Sequence, residues 1–338
     1  MVLRYILFIN LFFLPLCTHA VDQYILKFAT LIPPDTSWMN EINLWASEIE
    51  SKSHGRLIFK IYPGGVMGDE PDVLRKIRSN QLQGAFFTGY GIGRIYSPSR
   101  VLEMPFLFKN TDESDYVRNQ LMTEIRNGFK QNGYELLGWP EVGFIHFFSK
   151  LPIRSLNELK STRIWMWQGD PMGEAFSRAA GISHIPLSIM DVYTQLSSSH
   201  GSIDTVFNSP FGALAMQWHT KLKYASNIPF TNAIGSLVVS NQFFDQLPND
   251  LKELLLISGQ SVANKINTIA RLDNMKSLDL LKSSGIQFVW NWDDEEEKEM
   301  LRMRDHAASI LSSINYIPES SFTRVEHLLT EYRSGLKQ

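Results

Sequence analysis

The side chains of this 338-residue sequence whose types and spacing best suit a binding site are aromatic, and they are not of the kinds that catalyse reactions. Trp165 and Trp167 are two positions apart, so in a strand both indole rings lie on the same face. Phe207 and Asn208 come at the end of another predicted strand. Each large ring can bury roughly 150–250 Å² on contact and leaves a polar tip that needs a partner. These residue types favour non-covalent binding of a small molecule.

Motifs for catalysis or for cofactor binding are missing from the sequence. The eight His residues are scattered, and no His-Glu-x-x-His pair is present to hold a metal ion. There is no Gly-x-Ser-x-Gly elbow, and the spacing in Gly89–Gly93 does not suit a dinucleotide loop. His146 and His200 are interpreted as structural groups. We therefore expect no enzyme, no catalytic residue, no metal site and no cofactor.

The first twenty residues have the features of a secretory signal peptide. One positive charge at Arg4 precedes an apolar run, Tyr5–Leu16, which is shorter than the ~20 residues needed to span a bilayer. Thr18 and Ala20 fit the small positions before a cleavage point. A membrane anchor and a lipoprotein acylated at Cys17 are the alternatives. We predict a signal peptide at 1–20 and a periplasmic location.

Charge and cysteine content limit the partners of the mature chain. The formal net charge is −3 and becomes −4 when the signal peptide removes Arg4. A mildly acidic chain has no electrostatic basis for binding nucleic acid, so we expect none. The only cysteine, Cys17, lies inside the predicted signal peptide, so the mature chain would have no disulfide and no thiolate metal site.

Helical and strand periodicities alternate along the mature chain. Tyr24–Thr30 and Arg56–Tyr62 predict strands on either side of an amphipathic helix at Trp38–Ser51. A second block repeats the pattern from Arg163–Trp167 onwards, after a crossing strand at Gly143–Ser149. We therefore predict an α/β protein with two doubly wound α/β lobes and an interlobe cleft, where a ligand lies at the carboxyl ends of strands.

The sequence resembles the solute-binding subunits of TRAP transporters, the DctP family. A strand ends in Tyr62-Pro63-Gly64-Gly65-Val66-Met67-Gly68 and is followed by a helix and a short buried strand, as in that family. The likeness extends over nearly the whole mature chain and is strongest at Phe28–Thr36, Tyr62–Gly89, Leu102–Phe108 and Asn157–Pro210. It implies a type II-like periplasmic binding protein with a long bridging helix, here Pro248–Ser284.

The resemblance also implies domain boundaries and partners. We assign 21–143 plus about 224–262 to lobe I, and 144–223 plus about 263–338 to lobe II. The implied function is capture of a small-molecule ligand by hinge closure and delivery to the small and large TRAP membrane subunits. A periplasmic accessory protein is a further expected partner. A ligand-sensing subunit of a membrane receptor is the alternative role.

Two positions depart from the family pattern where its arginines bind a carboxylate. The family strand L-K-G-L-K-I-R-V matches Leu159–Met166, which places Trp165 at the arginine. A second arginine in a G-x-R pattern corresponds to Ile145. An indole supplies one N–H where a guanidinium supplies a bidentate pair. We therefore predict a neutral or apolar ligand; the alternative is an organic acid held by Arg163 or Arg94.

Some of the remaining candidate site residues come from a family motif, and the others are expected beside the cleft from their places at strand ends, loops and the crossing. Tyr193, Asp204 and Asn208 match a family fingerprint, although the spacing before Asp204 is one residue looser. Asp170 and Glu141 flank the predicted cleft, and Asp170 is better explained as a helix cap. The expected ligand-binding residues are Trp38, Tyr90, Trp139, Glu141, Arg163, Trp165, Trp167, Asp204, Phe207 and Asn208.

Overall fold

The structure is a computed structural model that describes residues 22–291 and 293–335. The predicted signal peptide therefore lies outside the described residues. The strands are β1 (Tyr24–Ala29), β2 (Leu57–Tyr62), β3 (Gly84–Thr88), β4 (Tyr134–Gly138), β5 (Glu141–Ser149), β6 (Ile164–Trp167), β7 (His184–Leu187), β8 (Thr205–Asn208), β9 (Tyr224–Ser226), β10 (Thr231–Ser240) and β11 (Gln287–Val289).

Helices follow most of the strands and cover both faces of the sheets. They are α1 (Ser37–Lys52), α2 (Glu70–Arg78), α3 (Gly89–Ile95), α4 (Thr111–Gln131), α5 (Leu156–Lys160), α6 (Pro171–Ala180), α7 (Ile189–Ser197), α8 (Pro210–Ala215), α9 (Asn241–Phe244), α10 (Asn249–Ser283), α11 (Asp294–Ser313) and α12 (Glu319–Gly335). Two 3-10 helices lie at Ser97–Glu103 and Trp218–Lys221.

Local sequence signals explain where the first helices begin. The Thr36 hydroxyl accepts a hydrogen bond from the Met39 amide at 3.2 Å and caps α1. The Asp69 carboxylate accepts from the Glu70 amide at 2.7 Å and caps α2. One apolar stripe of α1 is buried, with the 3.6-residue period expected of an amphipathic helix: Trp38, Met39, Ile42, Trp45 and Ile49.

The strands form two sheets joined by a pair of long crossing strands. The order is β2-β1-β3-β10-β5-β8-β6-β7, with β4 beside β10, β9 beside β5 and β11 beside β9. β1, β2 and β3 are parallel, as are β6, β7 and β8, whereas β10 and β5 run antiparallel to their neighbours and to each other. β5 and β10 therefore belong to both halves and connect the two lobes.

Each sheet has a hydrophobic core on both of its faces. In the first sheet, Phe86 and Phe87 of β3 point into two different clusters of buried residues. In the second sheet, Ile164 and Met166 of β6 lie in one cluster and Trp165 in another. Alternation along buried strands with helices on either face defines a doubly wound lobe. The predicted two-lobed α/β fold is confirmed.

Helix α10 bridges the two lobes, as predicted. Its 35 residues pack against α1 and β4 of the first lobe and against β5 and α8 of the second. At ~1.5 Å per residue it is about 50 Å long. Gly259 permits the close approach to β4, because a Cβ there would lie 2.7 Å from the Leu137 Cβ. No helix in the described part of the chain is both long and apolar enough to cross a membrane.

The C-terminal helices do not follow the predicted division between the lobes. The sequence assigned about 263–338 to lobe II, but Val325 and Leu329 of α12 lie in the same core cluster as Phe87 of the first sheet. Helix α11 packs on α6 and also contributes Ala307 and Leu311 to that cluster. An amphipathic helix shows which face is buried but not which surface buries it, so this assignment needs correcting for α12.

Candidate ligand-binding site

A cavity of about 180 Å³ lies between the two lobes. It is lined by Thr88, Trp167 and Asn208, the last residues of β3, β6 and β8. Crevices at the carboxyl ends of strands are the usual ligand sites of open α/β sheets. The volume is slightly above that of an apolar cavity of ~150 Å³ that holds benzene. The cavity therefore accommodates a ligand about the size of one aromatic ring.

Aromatic rings from both lobes form much of the wall. Trp165 is only 1 % exposed, stacks on Phe207 with ring centroids 4.9 Å apart, and donates its indole N–H to the Leu187 carbonyl at 3.1 Å. The N–H of this indole is therefore already satisfied, and the ring can offer a ligand only its apolar surface. Six of the rings in the cavity wall are Trp38, Tyr90, Trp165, Trp167, Phe207 and Phe211.

Two ring pairs join the lobes across the cavity. Tyr90 of α3 stacks on Trp167 with a centroid distance of 4.6 Å, and its hydroxyl donates to the Gln168 carbonyl at 2.7 Å. Trp38 of α1 stacks on Phe211 of α8 at 4.8 Å. These contacts can form only when the lobes are close together. In this structure, the two lobes are therefore in direct contact beside the cavity.

Asp69 adds a polar contact between the lobes at the edge of the cleft. While one carboxylate oxygen caps α2, the other accepts from the Ser188 hydroxyl at 2.6 Å and from the Ile189 amide at 3.3 Å. Ser188 is itself the N-cap of α7 in the second lobe. One carboxylate thus lies at the N-termini of two helices, where a negative charge is favourable.

Asn208 supplies an amide to the cavity wall. Its oxygen accepts a hydrogen bond from the Ser209 amide at 2.8 Å, whereas its nitrogen has a sulfur partner, Met216 Sδ, at 3.8 Å. Sulfur is a weak acceptor. The amide N–H groups therefore retain the capacity to donate to a ligand oxygen.

Arg100 in the wall was missed by the sequence reasoning, whereas its partner Asp170 was expected beside the cleft and interpreted as a helix cap. Arg100 and Asp170 are 5 % and 4 % exposed, and the guanidinium donates from Nη1 to Asp170 Oδ1 at 2.9 Å and from Nη2 to Oδ2 at 3.2 Å. Its Nε is hydrogen-bonded to Glu103, and Nη1 also donates to the Tyr316 hydroxyl at 3.3 Å. Burial raises the pKa of the Glu103 carboxyl above its usual value.

Glu70 is a third carboxyl group in the cavity wall. It accepts from the Thr88 amide at 2.7 Å, the Thr88 hydroxyl at 3.0 Å and the Gly91 amide at 2.5 Å. Burial outweighs these hydrogen bonds and raises the pKa of Glu70 to about 8. The group is therefore mostly protonated at neutral pH and adds little negative charge to the cavity.

Four of the ten expected ligand-binding residues lie elsewhere. Trp139 packs edge-on against Phe129, 6.0 Å away, in the core of the first lobe. Glu141 points to Arg271 on α10, with Nε–Oε1 2.5 Å and Nη2–Oε2 2.9 Å. These two residues follow β4 and begin β5, where the chain turns towards α10 instead of the cavity.

The pair Arg163 and Asp204 is also remote from the cavity. Arg163 Nε donates to Asp204 Oδ2 at 3.0 Å, and the arginine side chain is 55 % exposed. Arg163 precedes β6, so it lies at the opposite end of this strand from Trp167. Arg94 stacks on Tyr90, with its guanidinium carbon 4.1 Å from the ring centroid, and donates to the Gly169 carbonyl at 3.2 Å.

The remaining six expected residues come together at the cavity. They are Trp38, Tyr90, Trp165, Trp167, Phe207 and Asn208. Ile145, the other position where the family pattern has an arginine, also lines the cavity. The part of the chain that the structure describes has no cluster of three or more His, Cys, Asp or Glu residues able to hold a metal ion.

Known proteins resemble this chain in both sequence and fold. The 2,3-diketo-L-gulonate-binding periplasmic protein YiaO of Escherichia coli is 20 % identical over 252 residues, which cover 72 % of this chain and 74 % of that protein. A TRAP periplasmic solute-binding protein from Pseudomonas putida F1 with bound D-glucuronate has a TM-score of 0.79 at 20 % identity, covering 89 % of this chain and 96 % of its own.

A second solved structure extends the comparison. The TRAP periplasmic solute-binding protein from Desulfovibrio salexigens with bound orotic acid has a TM-score of 0.81 at 16 % identity and covers 91 % of this chain and 98 % of its own. The model of the bacterial extracellular solute-binding proteins, family 7, matches residues 28–309. The chain therefore belongs to this family, DctP, whose members are the periplasmic solute-binding subunits of TRAP transporters.

Proposed function

We propose that this TRAP solute-binding protein captures an uncharged solute about one ring in size and releases it to the membrane subunits of its transporter. The observation that carries the proposal is the identity of two residues in the cavity wall. Trp165 and Ile145 occupy the positions where the family pattern has carboxylate-binding arginines, and both line the cavity. Neither side chain provides the paired donors that a buried carboxylate needs.

The rest of the wall supports the same ligand class. Flat rings offer stacking surface, and the Asn208 amide offers hydrogen-bond donors for a carbonyl or hydroxyl oxygen. The charged groups in the wall consist of three carboxyls and one guanidinium, and Asp170 already pairs with that guanidinium. A solute without a negative charge would meet complementary groups here.

An organic acid is the second candidate, for two reasons. The relatives from Escherichia coli, Pseudomonas putida and Desulfovibrio salexigens bind 2,3-diketo-L-gulonate, D-glucuronate and orotic acid, which are all carboxylates or their acids. Arg100 also brings a guanidinium to the cavity wall. For an acid to bind Arg100 directly, it would have to displace Asp170.

Native mass spectrometry of protein purified from its own host would decide between these candidates. We expect an uncharged solute at close to one molecule per chain, released on unfolding. A carboxylate recovered at the same occupancy would refute the proposed solute class. A second measurement distinguishes transport from sensing. If this protein delivers the recovered solute to the membrane subunits, deletion of those subunits should abolish uptake of the solute; if the protein is a sensor, uptake should continue.

A second experiment tests whether the rings bind the solute. Trp167 is half-buried and joins the cavity wall to the closing contact with Tyr90, so Trp167→Ala should weaken binding of the recovered solute by ~1–3 kcal/mol. Trp139→Phe is the matched control, since Trp139 packs in the lobe core away from the cavity. Equal affinities in the wild type and Trp167→Ala would contradict this role.

A further inference from the structure

We propose that Asp170 determines the specificity of the cavity by acting as an internal carboxylate that occupies Arg100 and so excludes organic acids. This inference rests on the proposed binding function and gives it a residue-level mechanism. The ion pair links two segments far apart in the chain. Arg100 belongs to the 3-10 helix Ser97–Glu103, and Asp170 follows β6 and caps α6.

The donors of the Arg100 guanidinium are already engaged. Both terminal nitrogens donate to the two oxygens of Asp170 in a bidentate pair, Nε faces Glu103, and Nη1 also reaches the Tyr316 hydroxyl. This is the arrangement in which a guanidinium binds a carboxylate most strongly. The partner here is supplied by the protein, so a ligand carboxylate finds the position filled.

Displacing Asp170 would be unfavourable because its carboxylate has nowhere to go. The side chain is 5 % exposed, so it would remain buried without its cation. Its other contact is the Met172 amide at 3.4 Å, which is too long to compensate for the lost ion pair. The nearby Glu103 carboxyl, which is hydrogen-bonded to the same guanidinium, adds further cost to an incoming anion.

The Arg100–Asp170 ion pair also connects the two lobes, so the contact proposed to exclude acids forms when the lobes are together. Glu103 accepts from the Ile234 amide of β10 at 3.0 Å, and the Thr231 hydroxyl donates to the Glu103 carbonyl at 2.6 Å. The guanidinium is thus fixed to a crossing strand in one direction and to the second lobe through Asp170 in the other. The closed form satisfies these charges without help from a ligand.

Charge-matched probes test this mechanism directly. Benzoate and benzamide have the same ring and nearly the same size, but only benzoate is negatively charged at pH 7.5. Isothermal titration calorimetry with both probes would be applied to the full-length mature protein and to Asp170→Asn, which keeps an oxygen to cap α6 but releases the second hydrogen bond to Arg100.

We expect Asp170→Asn to bind benzoate at least tenfold more tightly than the wild type does, with a change of less than threefold for benzamide. Asp204→Asn is the matched control, because it also removes an arginine-paired aspartate from the second lobe but away from the cavity. This control should behave as the wild type. Equal benzoate affinity in the wild type and Asp170→Asn, including binding by neither, would overturn the mechanism.

Further variants keep the test decisive if Asp170→Asn does not fold. Asp170→Ser retains a cap for α6 and leaves space for a carboxylate, so benzoate should raise its thermal midpoint more than benzamide does. Adding Arg100→Gln to Asp170→Asn should abolish the benzoate gain, and its persistence would refute the role of Arg100. An organic acid recovered from the wild type would refute both the proposed solute and the exclusion of acids by Asp170. If an uncharged solute is recovered but Asp170→Asn gains no affinity for benzoate, only the role of Asp170 is refuted.

Discussion

A substitution of Glu141 can distinguish between two roles for this residue, a contact with the ligand and a structural contact between the crossing strand β5 and the bridging helix. The sequence placed this carboxylate at the ligand, but its side chain is 3 % exposed and receives two hydrogen bonds from Arg271 of α10. Arg271 also binds Asp115 of α4 through contacts of 2.9 and 2.7 Å. The arginine therefore fixes the bridging helix to the start of crossing strand β5. The substitution Glu141→Gln removes the charge of this side chain and keeps its size.

The expected loss of stability can be worked out from these contacts. A hydrogen bond to a charged group contributes ~1.5–3 kcal/mol and a neutral one ~0.5–1.5 kcal/mol. Gln keeps one acceptor oxygen, but its amide nitrogen faces the guanidinium, so one bond is weakened and one is lost. Arg271 is 34 % exposed and retains Asp115, which limits the cost of leaving it partly unpaired. We therefore expect Glu141→Gln to lower the free energy of unfolding by about 1–2 kcal/mol.

Urea unfolding followed by circular dichroism at pH 7 would measure this difference. The midpoint should fall without a change in slope, because the surface exposed on unfolding is the same. Glu48→Gln is the control, since Glu48 forms an exposed pair with Lys52 on α1 and should change stability by no more than ~0.5 kcal/mol. A variant as stable as the wild type that binds solute more than tenfold more weakly would refute the hinge role and restore the ligand contact.

Two further predictions concern carboxyl groups at the cleft. Asp69→Asn leaves one acceptor oxygen where Asp69 has two, one for each of the N-termini of α2 and α7. Stopped-flow tryptophan fluorescence should therefore show that the solute dissociates ~5–30-fold faster from this variant. The control Asp72→Asn, on the same helix, should not change the dissociation rate. Because the pKa of Glu70 is raised from 4.5 to about 8, its stabilising contribution is complete below pH 4.5 and is lost as the pH rises to about 8. Urea unfolding at pH 5.5 and pH 8 should therefore show a larger loss of stability in the wild type than in Glu70→Gln, and equal losses would contradict the raised pKa.

Elements with a strong local period were predictable from the sequence. The bridging helix was expected at Pro248–Ser284 and is present at Asn249–Ser283, because its apolar positions repeat along one face for nine turns or more. The crossing strand expected at Gly143–Ser149 is present as β5, which begins two residues earlier at Glu141. The packing surface of α12 was not predictable, since periodicity identifies a buried face without identifying its partner.

In the site, too, local patterns predicted the arrangement of neighbouring residues but did not predict contacts between distant ones. The period of two in β6 places Trp165 and Trp167 on one face, and their ring centroids are 5.1 Å apart. Arg100 and Asp170 are separated by 70 positions, and no local pattern connects them. The available signal was weak: Arg100 and Glu103 are three residues apart and enclose Val101 and Leu102, so two charges lie within an otherwise apolar segment. Charges in such a segment are buried only when they are paired.

An internal ion pair changes what the ligand must contribute to closure. In a cavity with unpaired arginines, the carboxylate of the ligand neutralises their charge. Here Asp170 already pairs with Arg100, so this charge is neutralised without a ligand. Affinity then has to come chiefly from burial of the ring. A solute that buries ~250 Å² gains ~6 kcal/mol at ~25 cal/mol per Å², and the cost of association is subtracted from this gain. One hydrogen bond to Asn208 would add ~1 kcal/mol to the gain. For the proposed uncharged solute, affinity would thus come from burial of the ring, and the role that we propose for Asp170 is to make that affinity selective.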